Sequence, residues 1–278
     1  ETGGTNAYTI TVHSDDATAT AANLNSLNAL TTVNVDADEV TTVTGALSDL
    51  VTLYSASGVS NLGNEAVTIN DTGSVAAADL TTVGNGSTGT VTASGVETIT
   101  GTAAAVIDAY ADIDAGLGDE AITINSGSVT VAQARSLNAL TTGVVTGSIT
   151  AGTRISAMLH ADTGITETGG SNAYTITVHS DDATATAANL TSLNALTTVN
   201  VDASEVTTVT GSISQVQTLY GNAGVSNLGN EAITVDDTGS VAAADLTIVG
   251  DYSTGTVTAS GVETITGTAA AVIDAYAD

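Results

Sequence analysis

The chain has 278 residues, with Lys+Arg 2 against Asp+Glu 30 and a formal net charge of -28, yet 42% of it is hydrophobic and its mean hydropathy is +0.27. That excludes disorder, because acidic disordered chains are poor in the Val, Ile and Leu that abound here, and it disfavours nucleic acid and anionic lipid as partners, which need Lys and Arg to displace phosphate counterions. Cys, Pro, Phe and Trp are absent, so disulfides and thiol chemistry are excluded and the core must be built of Val, Ile, Leu and Ala, a filling suited to a narrow coil.

From the N-terminus, Tyr8-Thr-Ile-Thr-Val12 alternates apolar and polar residues and predicts a strand. Thr20 then caps a predicted helix carrying Leu24, Leu27 and Leu30. Val33 and Val35, then Val40 and Val43, predict further strands before Gly45 and a helix with Leu47, Leu50, Val51 and Tyr54. The same plan returns 56 residues later, with Val91, Val96, Ile99 and Gly101 ahead of a helix carrying Val106, Ile107 and Tyr110.

These elements belong to nested repeats. A strand-like phrase opens at Asn6-Ala-Tyr-Thr-Ile10, Asn64-Glu-Ala-Val-Thr-Ile69, Asp119-Glu-Ala-Ile-Thr-Ile124, Asn172-Ala-Tyr-Thr-Ile176 and Asn230-Glu-Ala-Ile-Thr-Val235, at spacings of 58, 55, 53 and 58 residues. The first three spacings make one long repeat of 166 residues. Residues 1–112 recur as residues 167–278 with 95 of 112 positions identical, so the chain holds one long repeat, 1–166, and a partial second copy.

Each short unit divides into two halves of about 24–31 residues, the length of one coil in an α/β solenoid. One such half cannot close a core alone, and stacking supplies the missing walls. The expected fold is therefore one continuous repeat solenoid over residues 1–278. It has parallel β-strands and short helices in about ten stacked coils (α/β-solenoid or β-solenoid), on the order of 50 Å long. Ile10, Ile69, Ile124, Ile176 and Val235 are expected to share one internal row.

The phrases Gly58-Val-Ser-Asn-Leu-Gly-Asn-Glu-Ala-Val-Thr-Ile69, Val75-Ala-Ala-Ala-Asp-Leu80 and Gly95-Val-Glu-Thr-Ile-Thr-Gly-Thr-Ala-Ala104 resemble repeats of giant secreted and cell-surface proteins of bacteria, notably marine cyanobacteria. The resemblance covers the whole chain and implies an extracellular location and an adhesin, surface-layer or coat type of parent protein. Calcium-binding nonapeptides often accompany such repeats, but their glycine-and-aspartate pattern is not present here, so no ion site carries over.

Candidate chemistry is sparse. Asp112-Ile-Asp-Ala-Gly-Leu-Gly-Asp-Glu120 begins like a calcium loop, with Asp112, Asp114 and Asp119 offering hard oxygens, but Thr123 stands where a bidentate Glu belongs. Asp15 and Asp16 with their copies Asp181 and Asp182 are further weak calcium candidates, and calcium is the one cofactor such loops would accept. Asp36, Asp38 and Asp202 add surface charge, Asp38 becoming Ser204 in the second copy. No aromatic sugar platform accompanies these carboxylates, so glycoside chemistry is not expected.

His13 and His179 are one position in two copies, each followed by Ser-Asp-Asp, and His160 stands in a different context, so no metal or catalytic cluster is expected of them. Thr9, Thr68, Thr123, Thr175 and Thr234 fill one outward position per short unit, a spacing of one per two coils that is too sparse for a strong ice-binding ladder.

The sequence thus predicts a non-enzymatic structural segment of a large extracellular surface or filament protein: a stalk, coat or adhesin shaft. Its partners would be adjacent repeats or further copies end to end. The alternative is a multivalent binding module for calcium, polysaccharide or a partner surface.

Overall fold

A computed structural model describes residues 6–165 and 172–277; Glu167 to Gly170, which open the second long repeat, lie outside the described residues. The fold is α/β, with parallel sheets and ten α-helices among the described residues. Contacts divide it into two compact units, residues 1–127 with 136–146, and residues 128–135 with 147–278.

In the first unit the chain runs β1 (Thr18–Thr20), α1 (Ala21–Ala29), β2 (Val35–Asp36), β3 (Thr42–Gly45), α2 (Leu47–Ser55), β4 (Val59–Ser60), β5 (Ala66–Ile69), β6 (Gly73–Ala76), α3 (Ala77–Gly84), β7 (Val91–Thr92), β8 (Val96–Gly101), α4 (Ala103–Asp112) and β9 (Ala121–Ile124). Helix α5 (Val131–Leu140) and strand β10 (Val145–Ser148) contribute residues to both units.

Pairing is parallel and joins each strand to the one a coil further on. β1, β3, β5 and β7 form one sheet, which aligns Ala19 with Val43, Val67 and Val91. A second run pairs β6 with β8 and β8 with β9, aligning Val75, Ile99 and Ile122. All seven of these side chains are buried, because strict alternation puts one face of each short strand inward. The helices are of 8–10 residues, too short to persist alone in water. They bury one stripe each: Ala21 and Leu24, then Leu47, Leu50 and Leu53, then Ala77, Leu80 and Val83, then Ala103, Val106 and Ala109.

The second unit repeats the design in α6 (Ile155–Met158), β11 (Ala173–Thr175), β12 (Thr184–Thr186), α7 (Ala187–Asn194), β13 (Val201–Asp202), β14 (Thr208–Gly211), α8 (Ile213–Tyr220), β15 (Val225–Ser226), β16 (Ala232–Val235), β17 (Gly239–Ala242), α9 (Ala243–Gly250), β18 (Val257–Thr258), β19 (Val262–Thr266) and α10 (Ala269–Ala275). β12, β14, β16 and β18 pair in order, aligning Ala185, Val209, Ile233 and Val257.

Two expectations need correction. Residues 6–10 form no strand, whereas the same sequence forms β11 in the second copy, where the Ile149 N–H donates to the Thr175 carbonyl at 3.0 Å. A strand exists only where a neighbour pairs with it. Nor do the five aliphatic residues of the opening phrase share one row. Ile69 aligns with Gly45 and Ile124 with Gly101, while Ile10 accepts from the Asp36 N–H beside β2. Neighbours in space are one coil apart, so residues one short unit apart are not adjacent.

Candidate functional site

Side chains with chemistry lie mainly in the turns between strands and helices, and several of the acidic ones are engaged by backbone. The N-cap residue of α2, Ala46, has no capping side chain; instead Asp71, 24 residues on, accepts the Leu47 N–H at 2.5 Å. Asp237 accepts the Ile213 N–H of α8 at 2.6 Å in the same way, and Asp182 accepts the Ile155 N–H of α6 at 2.8 Å. A carboxylate at a helix N-terminus satisfies a donor with no intrahelical partner and complements the helix dipole.

The sequence's calcium candidates do not converge. Asp112 ends α4 and accepts from the Asn85 side chain at 3.4 Å, Asp114 accepts the Val91 N–H at 2.8 Å, and Asp119 is an exposed turn residue. Asp15 is exposed beside His13, whose Nδ1 accepts the Asp15 N–H at 3.2 Å, and Asp16 is exposed. In the second copy Asp181 pairs with Arg154 while Asp182 caps α6. Among the described residues no three His, Cys, Asp or Glu side chains gather closely enough to hold a metal ion.

Asp36 and Asp202 each accept at 2.7 Å from an asparagine of the next coil, Asn61 and Asn227. Both asparagines have φ of 64°, a left-handed conformation that Asn adopts more readily than most residues. The Asn227 side chain and the Ser204 N–H hold the Asp202 carboxyl below its ordinary range.

The sequence reading missed the buried glutamates. Glu65, Glu120 and Glu231 are 1%, 2% and 2% exposed. Glu65 accepts the Gly63 and Asn64 N–H groups at 2.6 and 3.0 Å and the Tyr54 hydroxyl. Glu231 repeats this with Gly229, Asn230 and Tyr220. Glu120 accepts from Gly118 and Asp119, but the Tyr110 hydroxyl is buried without a partner. Burial, with the hydrogen bond to Glu65 and its charge, pushes the Tyr54 hydroxyl well above the ordinary tyrosine value of 10.0.

A hydroxyl row accompanies them. Thr31, Ser87, Thr141, Thr197 and Ser253 donate to the carbonyls of Tyr8, Glu65, Glu120, Tyr174 and Glu231 at 2.6–2.7 Å. The detectable signal was Ser or Thr, then Thr, then Val or Gly, which recurs in every short unit.

On the outward face the register fills gaps in the threonine ladder. Thr20, Thr44, Thr68 and Thr92 align in consecutive strands, as do Thr186, Thr210, Thr234 and Thr258. The one-per-two-coils estimate missed this, because the intervening threonines belong to strands outside the opening phrase.

No helix among the described residues is long and apolar enough to cross a membrane. Comparison with family models, with curated proteins and with solved structures returned no match to this chain.

Proposed function

We propose that each unit is built as an α/β-solenoid and that the chain is a structural repeat segment of a large extracellular surface or filament protein, without catalytic activity. The observation that supports this most is how the polar groups are used. Asp71, Asp114, Asp182 and Asp237 satisfy backbone N–H groups 23–27 residues away, and Glu65, Glu120 and Glu231 seal turns. Polar side chains committed to joining one coil to the next serve the length of an array rather than a reaction centre. The charge of -28 then lies largely on the outside, where it favours solubility in salt-rich water.

The resemblance to giant bacterial surface proteins supplies the extracellular location. An antibody raised against this segment should label intact, unpermeabilised producing cells or their shed filaments. Labelling only after permeabilisation would contradict the location.

A second reading, a multivalent binding module, is favoured by the aligned threonine columns. Rungs about 4.8 Å apart present regularly spaced hydroxyls that polysaccharide or ice could match weakly at each site. Saturable binding to a glycan array, or inhibition of ice growth lost on Thr44→Val and Thr68→Val, would favour it over a passive shaft.

A further inference from the structure

The two copies present nearly the same surface in two states. Tyr8 is 55% exposed and its copy Tyr174 is 0% exposed, although both stand in Asn-Ala-Tyr-Thr-Ile. Ile10 is half-buried where Ile176 is buried, Leu27 is half-buried where Leu193 is buried, and Asp16 is exposed where Asp182 is half-buried. In the first copy an open groove of about 380 Å³ runs past Val12, Asp16, Ala19, Leu24 and Leu27.

The second unit shows what occupies the matching surface. Ile149 donates to Thr175, α6 packs on α7, Asp182 accepts the Ile155 N–H, and Asp181 pairs with Arg154. The covering coil therefore brings an apolar helix start and a cation facing the Asp181-Asp182 pair.

We infer that the face formed by Tyr8, Ile10, Asp15, Asp16 and Leu27 is a docking surface for a strand–helix coil of the kind formed by residues 147–158, with an arginine immediately before its helix. This rests on the repeat reading above and adds the chemistry of the neighbour. The chain's own C-terminal coil fits poorly. Its helix α10 is preceded by Thr268 where α6 has Arg154, so it brings no cation to Asp15 and Asp16.

The test fuses residues 113–166 ahead of Glu1 of the full chain. Tyrosine nitration, mapped by mass spectrometry, should fall at Tyr8 in the fusion to the low level of Tyr174. Asp16→Asn should lower the melting temperature of the fusion and leave that of the original chain unchanged. Asp15→Asn should also lower the melting temperature of the fusion, and replacing the added arginine by serine should remove that effect. Tyr8 remaining equally reactive in the folded fusion would overturn the proposal. So would concentration-dependent protection of Tyr8 in the original chain with a matching rise in sedimentation rate, which would assign the face to a second copy. If Tyr174 reacts as fast as Tyr8 in the original chain, the repeat reading itself fails.

Discussion

At the scale of single residues, the largest single-site consequences fall on the sealed glutamates. Glu65→Ala leaves the Gly63 and Asn64 N–H groups and the Tyr54 hydroxyl without their acceptor in a part-buried turn. The expected loss is about 3 kcal/mol, read by urea denaturation, whereas Glu97→Ala on an exposed site should stay within about 0.5 kcal/mol. Tyr54 gives the pH dependence a sign. Its folded-state pKa is raised, so its contribution to stability is fully present below pH 10.0 and is lost as pH rises beyond it. Alkaline titration of the melting temperature should show a limb that Tyr54→Phe makes shallower. At the acid end Asp202 acts oppositely. Its lowered pKa supports the fold above about pH 4 and fails as pH drops through the folded value, with a small amplitude because the group is largely solvated.

At the scale of elements, helices are tied to the following coil as much as to their own caps. Asp71→Ala removes the acceptor for the first N–H of α2, whose own N-cap position is Ala46, and should cost about 1 kcal/mol. Hydrogen exchange should show faster opening in residues 47–55 than in α4, which keeps its Thr102 cap.

This dependence on neighbours also separates what the sequence disclosed from what it hid. The α1 helix, its Thr20 cap and the strand-to-helix turn at Gly45 follow from local periodicity and cap chemistry, and they stand where predicted. The strand at Tyr8 depends on a partner that the described chain supplies only in the second copy. The aligned row was misjudged because the phrase repeats every short unit while strands pair one coil apart, as Thr18 with Thr42. Glu65 reads like any loop acid until the turn closes over it. The candidate calcium residues show the reverse: Asp112 and Asp114, close in sequence, stand on separate partners.

At the scale of the whole molecule, charge and stacking remain. A net charge of -28 repels itself, and salt should raise the melting temperature as the Debye length falls to about 10 Å at 0.1 M. Because the carboxylates are held singly, calcium at matched ionic strength should add no more than sodium chloride does. An excess effect of calcium, abolished by Asp112→Asn with Asp114→Asn, would restore a chelating loop.

In-register stacking of the coils is the central claim, and the chain's lack of cysteine makes it directly measurable. Spin labels on Thr20→Cys and Thr92→Cys, the outer members of one aligned column in the first unit, report the height of that column by electron spin resonance. Three steps separate them, so rungs of ~4.8 Å place the labels on the order of 14 Å apart, plus their tethers, in one narrow distribution. A broad distribution, or a narrow one far longer than this, would contradict in-register stacking.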